Sequence, residues 1–201
     1  HDAVDIQDFK FKAKNSKTLK SVTYVGSFYK GKGVELILKL ASKFKRITFN
    51  IYGDRLGNIY KKSPNVKLHG YINYNQVPKA LYHSDILILP SDNIQFGRAK
   101  GINIANYNSP LKMFDYLAAG KIILSSKRDG ICEILKHNYN SIIVNQYNLK
   151  SWSHALNLLI KKKYNFSKLR KNSLKTAKIY TWENRVSKIL STLNVITKGN
   201  K

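Results

Sequence analysis

A chain of 201 residues with 43% hydrophobic content can bury one full-sized core, and it carries no apolar run of about 18 residues, which excludes a membrane-spanning helix. Its one cysteine, Cys132, excludes a disulfide framework or a cysteine-rich zinc site and fits a reducing, cytoplasmic setting. The 36 Lys and Arg against 11 Asp and Glu give a net charge of +25, which favours phosphate-bearing partners or an anionic membrane surface.

Short apolar runs alternate with helical patterns. Strands are predicted at 21–26, 47–52, 66–69, 85–89, 121–125 and 141–144, each almost continuously apolar or β-branched, as strands covered on both faces are. Val34, Ile37, Leu38 and Ala41 share one face of a first helix. A second runs from Val77 to His83 with Leu81 inward. A third runs from Pro110 to Ala119 and a short fourth from Cys132 to Lys136. Trp152, Ala155, Leu158 and Leu159 mark an amphipathic helix after the last strand, and Val186, Ile189, Leu190 and Leu193 mark the terminal one. The alternation argues a Rossmann-like, doubly wound parallel α/β sheet of about six strands, with a helical tail of about 50 residues. Such sheets bind ligands outside the carboxyl ends of their strands, so the loops after Gly26, Tyr52, His69, Pro90 and Ser125 are the expected places for chemistry.

The loop Gly26-Ser27-Phe28-Tyr29-Lys30-Gly31-Lys32-Gly33 follows a strand and opens a helix. Its spacing nearly matches a phosphate-binding P-loop, but Gly33 stands where Ser or Thr would hold magnesium, and Asp85 opens its strand where a metal-binding acid would end one. A P-loop nucleoside triphosphatase is therefore rejected. Two readings remain: a glycine-rich cradle in which Lys32 and free helix N–H groups meet a phosphate, or an ordinary tight turn with solvated lysines.

From Pro90 to Asn108 no element is predicted, and a loop of that length inside a compact domain is usually functional or disordered. It ends at Ser109-Pro110-Leu111-Lys112-Met113-Phe114-Asp115. Ser109 is a suitable cap, Pro110 a suitable first helical residue and Gly120 a suitable stop. Leu111, Phe114, Leu117 and Ala118 are expected to form the buried stripe. Lys112 and Asp115, three apart, share a face that is not the core face. They are either a solvated ion pair or a site in which Asp115 accepts two hydrogen bonds from a vicinal diol.

The histidines His1, His69, His83, His137 and His154 show no metal-ligand spacing, so no metal is expected. The lysines are spread along the whole chain, as amino-acid bias alone would spread them, and no RNA- or DNA-binding signature is present. No signal peptide opens the chain, and because it begins with His1 rather than Met it is expected to be cut from something longer.

Taken in order, several segments resemble the nucleotide-sugar-binding half of a two-domain (GT-B) glycosyltransferase of the retaining group 1 family. They are Tyr24-Val25-Gly26 with Lys32-Gly33-Val34, Ile51-Tyr52-Gly53-Asp54, Val66 to Ile72, Leu81 to Ser91, the Ser109–Lys121 stretch, Gly130 to Leu135 with Glu133, and Tyr180-Thr181-Trp182. His1 to Phe9 looks like the inter-domain connection. The resemblance implies residues 1–19 as linker or domain start, 20–180 as a Rossmann-like donor-binding domain and 181–201 as a C-terminal helix.

It also implies roles. Lys32 and Asp115 are the catalytic-site candidates, Lys32 on the donor diphosphate and Asp115 on the ribose. Gly26, Ser27, Lys30, Gly33, Ile72, Asn108, Ser109, Pro110, Leu111 and Lys112 are the substrate-binding candidates, with Ile72 against the base. The donor would be a UDP- or GDP-sugar, with no cofactor and no metal. The other partners would be an N-terminal acceptor domain and an anionic membrane surface, at the cytoplasmic face of a bacterial membrane making surface polysaccharide or glycolipid. Three departures stand out: Ser27 replaces a phosphate-binding Arg that could be compensated by Lys30 or Arg98, Tyr107 replaces a sugar-holding Glu, and Asp115 is one methylene shorter than the usual Glu. They leave room for a non-catalytic nucleotide-binding module of the same fold. Charge alone supports a nucleic-acid-binding domain.

Overall fold

The computed structural model describes residues 1–10, 18–53, 63–94, 103 and 110–199, the last six by their backbone. Strands β1 (Ser21–Val25), β2 (Thr48–Tyr52), β3 (Val66–Gly70), β4 (Ile86–Leu89), β5 (Ile122–Ser126) and β6 (Ile142–Val144) form one sheet. All pairings are parallel and the order is β3-β2-β1-β4-β5-β6, so the winding reverses between β1 and β4. Each predicted strand lies within a residue of its observed bounds.

Both sheet faces are covered, which explains the near-continuous apolar strands. In β4 and β5, Ile86, Ile88, Ile122 and Leu124 join one core, with Trp152, Leu156 and the buried side of helix α1 (Val34–Lys43). Leu87, Leu89 and Ile123 join the other, with Leu81 of α2 (Val77–Tyr82) and Met113, Phe114 and Leu117 of α3 (Leu111–Ala118). Side chains alternate across the sheet with a period of two, yet both sets are apolar because each face has its own helical cover. Helices α4 (Asp129–Cys132), α5 (Leu149–Ile160), α6 (Phe166–Ala177) and α7 (Trp182–Gly199) complete the order.

The helices depart from expectation at several points. In α1, Leu36 and Leu40 are buried alongside Val34, Ile37 and Ala41, while Leu38 is only partly so. Helix α3 begins at Leu111, with Pro110 as an extended cap rather than its first residue. Helix α4 lies earlier than the predicted Cys132–Lys136 segment. There the Asn140 side chain accepts from the Lys136 amide (2.8 Å) and donates to the Ile134 carbonyl (3.0 Å), so the chain turns instead of continuing as helix.

Helix α6 escapes the hydrophobic pattern because its buried stripe is Leu169, Ser173, Thr176 and Ala177, half of it hydroxyl-bearing. The Ser173 hydroxyl donates to the Asn140 carbonyl (2.8 Å), which makes that burial tolerable. The Val186, Ile189, Leu190 and Leu193 stripe of α7 is more than half exposed among the described residues. The start of α7 is held to the N-terminal segment by the Val4–Thr181 bridge and the Arg185–Asp2 ion pair (3.0 Å). No helix among the described residues is long and apolar enough to cross a membrane.

Candidate functional site

The reversal of winding opens a crevice. β1 and β4 pair only at Val22–Ile86 and Thr23–Leu87. Beyond that point the Val25 amide donates to the Tyr116 hydroxyl of α3 (3.0 Å) instead of to a strand. Helices α1 and α3 both start at this crevice, and among the described residues neither start carries a side-chain cap. Away from it, Asn148 caps α5 through the Ser151 amide and Asn165 caps α6 through the Lys168 amide, each at 2.9 Å. Helix starts left without a side-chain acceptor are the ones able to receive an anion.

Two glycines fit the backbone around this point. Gly33 caps α1 at φ +80°, where a Cβ would meet Pro90 at 2.5 Å, so the turn after β1 lies directly against the end of β4. Gly26 adopts φ +143°, and a Cβ there would sit 2.0 Å from the Lys112 Nζ. The notch left by glycine is filled by the lysine.

Lys112 and Asp115 therefore face inward, which removes the solvated ion pair from the two readings of their shared face. Asp115 is 8% exposed, whereas Leu111, expected in the buried stripe, is 58% exposed. The reason is that α3 is enclosed by the sheet and by α6, so every residue from Met113 to Ala118 is buried and a single apolar stripe does not describe it. The Lys112 ammonium lies 4.0 Å from the centre of the Tyr24 ring and donates to its hydroxyl (2.9 Å), which in turn donates to the Ser27 carbonyl (2.7 Å). The Tyr74 hydroxyl donates to the Asp115 carboxylate (3.1 Å).

The electrostatics follow from burial. Desolvation and the neighbouring Lys32 push Lys112 down to about 7, against the pull of Asp115. Desolvation raises Asp115 to about 6, with Asp8 adding to the rise and the Tyr74 hydrogen bond and Lys112 opposing it. Lys32, half-buried, is lowered by the same desolvation. Two ammonium groups and one carboxylate thus share the crevice, each in a setting that penalises its charge. Such settings are frequent at functional sites.

The end of β4 is fixed from β5. The Arg128 guanidinium donates to the carbonyls of Asp92 (3.1 Å) and Ser91 (2.7 Å) and to the Asn93 side chain. The Ser91 amide donates to the Ser126 hydroxyl (2.8 Å), and the Asp92 amide to the Gly31 carbonyl (3.0 Å). Arg128 therefore holds the strand end against the β1–α1 turn.

Of the residues singled out by sequence, Gly26, Ser27, Lys32, Gly33, Pro110, Lys112 and Asp115 come together at the crevice. Lys30 is exposed on the same turn, and Ile72 packs at the edge of the second core. Asn108 and Ser109 lie outside the described residues, as do Asp54, Arg98 and Tyr107. Tyr24, Tyr74, Tyr116 and Arg128 carry the hydrogen bonds of the site but were not among the sequence candidates. Tyr24 sits within a strand run and reads as core, and only its polar tip distinguishes it. Among the described residues no three His, Cys, Asp or Glu side chains gather as metal ligands.

The fold and the crevice define a doubly wound α/β domain with a basic, glycine-lined site at its switch point. The chain matches the family "Glycosyl transferases group 1" over residues 5–178 and belongs to it. Its structure is similar to that of Anabaena HepE, solved in complex with UDP-glucose, with a TM-score of 0.73 and 13% identity over 96% of this chain and 56% of HepE. It is also similar to the C-terminal domain of the group 1 family protein LpcC from Francisella tularensis, with a TM-score of 0.65 and 16% identity over 90% of this chain and all of that domain. An "Uncharacterized 41.2 kDa protein in cps region" from Klebsiella pneumoniae is 30% identical over 81 residues, 38% of this chain and 23% of its own length. The chain thus spans about half of the HepE structure it matches.

Proposed function

We propose that this chain is the donor-binding half of a retaining glycosyltransferase that takes a nucleoside diphosphate sugar, of the UDP or GDP type, and transfers the sugar to a hydroxyl of a growing surface polysaccharide or glycolipid. The observation that carries the reading is the convergence of Lys32, Lys112 and Asp115 on the crevice where α1 and α3 begin. Cations and free helix N–H groups suit a diphosphate, and a carboxylate beside them suits the ribose diol. HepE binding UDP-glucose and the cps-region relative support the same direction.

In the reaction, the bond from the sugar C1 to the diphosphate oxygen breaks and its electron pair stays with the diphosphate. The acceptor oxygen bonds to C1 and passes its proton to the departing diphosphate oxygen. Charge builds on the departing diphosphate, and that is where Lys32 and the helix starts act. No cofactor or metal enters this scheme. The acceptor would sit on an N-terminal domain of a longer protein at the inner face of the membrane, where the charge of +25 favours contact with anionic lipid.

Calorimetry of the 201-residue chain with UDP, GDP and ADP tests the reading. Binding of one of them in the micromolar-to-millimolar range, carried over to its sugar conjugate, is expected. No binding of any at millimolar ligand would leave a non-catalytic module of the same fold.

A further inference from the structure

We propose that Lys112 is the second diphosphate-binding cation of this site, reaching from α3 to complete a subsite that the β1–α1 turn supplies with only one half-buried cation, Lys32. The inference rests on the nucleotide-sugar reading for its ligand and deepens it, by giving Lys112 its own share of the diphosphate and a proton linkage that follows from it. Within the turn, Ser27 is neutral and Lys30 is exposed. Lys112 comes from a different element and lies against the turn backbone: its Nζ sits 2.0 Å from where a Cβ at position 26 would be.

The geometry leaves the ammonium able to take an anion. The Tyr24 hydroxyl has its proton committed to the Ser27 carbonyl, so it offers Lys112 a lone pair. Among the described residues it is the one hydrogen-bond partner of Lys112, and an ammonium has three donors. The charged and titratable groups that face it are Tyr24 from β1, Lys32 from the lead-in to α1, and Asp115 from its own helix. Two cations held together with one carboxylate repel, and an anion placed between them removes that penalty. A diphosphate has the charge and length to meet both.

Proton linkage provides a readout that a structural brace would not move. Burial and Lys32 lower Lys112 to about 7, so at a slightly higher pH the empty site holds it largely neutral. A bound diphosphate favours the charged form, and binding should take up a proton. The test titrates inorganic pyrophosphate, UDP and uridine into wild type, Lys112→Met, Lys112→Gln and Lys112→Arg at about pH 8, in two buffers of different ionisation enthalpy, with circular dichroism to check the folding of each variant.

Expected are wild-type binding of pyrophosphate with uptake of a fraction of a proton, a loss of about 10–100-fold in affinity in Met and Gln, and recovery in Arg without proton uptake, because guanidinium stays charged. Pyrophosphate binding within about twofold of wild type in both Met and Gln would overturn the inference, as would no wild-type binding of pyrophosphate at millimolar ligand. Affinity lost in the variants with no proton uptake in wild type reduces Lys112 to a brace for Tyr24 and overturns it too. UDP binding no tighter than pyrophosphate, with the Lys112 dependence intact, fails the nucleotide reading and leaves this inference standing.

Discussion

Asp115 carries opposing demands on a single side chain. Its carboxyl titrates near 6 in the folded chain against an ordinary value of 3.8, so the native state binds more protons than the unfolded chain between those values. Stability contributed by this group is therefore present at low pH and lost as pH rises through about 6, up to about 3 kcal/mol at the conversion of 1.36 kcal/mol per decade. Asp115→Asn keeps an acceptor for Tyr74 and should raise the melting temperature at about pH 8 and leave it nearly unchanged near pH 4, while weakening UDP binding. Equal melting curves at both pH values would contradict the burial of this charge. Tyr74→Phe is the complement. It removes the hydrogen bond that, among the described residues, holds Asp115 down, so the acid limb of UDP affinity should move to higher pH, at a cost of about 1 kcal/mol in stability. An acid limb that stays in place would separate Tyr74 from the site. That Lys112 and Asp115 share a face was legible from their spacing. Their inward orientation was not, because α3 is apolar nearly all round and its one exposed apolar residue, Leu111, stood in the apparent stripe.

Among the elements, the β1–α1 turn imposes the tightest constraint. Gly33→Ala asks a side chain to adopt φ +80° and brings its Cβ to 2.5 Å from Pro90, where backbone or ring must move. It should cost more than about 1 kcal/mol in denaturant midpoint and weaken ligand binding through displacement of the turn, and an unchanged midpoint would remove the turn's role in fixing β4. The sequence showed the six strands to within a residue because both sheet faces are apolar and the turns are rich in glycine. It did not show α6, whose buried side is half Ser and Thr, nor the early α4, which is ended by a side-chain-to-backbone network through Asn140. The first depends on a partner 33 residues away, through the Ser173 bond to Asn140, and the second on a side-chain bond, and hydrophobic periodicity encodes neither.

For the whole molecule, the charge of +25 outweighs any local arrangement. The association rate of UDP should fall steeply as salt rises from about 50 to 500 mM, while that of uridine stays flat. Parallel slopes for the two would take electrostatic steering out of the account. Helix α7 lies outside the two cores, with Ile189 and Leu193 each about half exposed. Ile189→Glu should therefore leave the melting temperature of this chain within about a degree, in contrast to any substitution at Leu117. A large drop would mean that α7 is packed. Charge and exposed stripe were both readable in sequence as composition and periodicity. Which of the periodic stripes would find a partner was not, since that is decided by what the remainder of the fold presents.

The bond from the Val25 amide to the Tyr116 hydroxyl makes one amide at the seam of the sheet a gauge of helix position. This amide is held by a helix side chain rather than by a neighbouring strand, so it exchanges with solvent when α3 lifts. Its exchange rate thus measures the docking equilibrium of the helix that bears Lys112 and Asp115, before any ligand is added. Anything that tightens that helix, wherever it binds, would be recorded as slower exchange at a position it never touches.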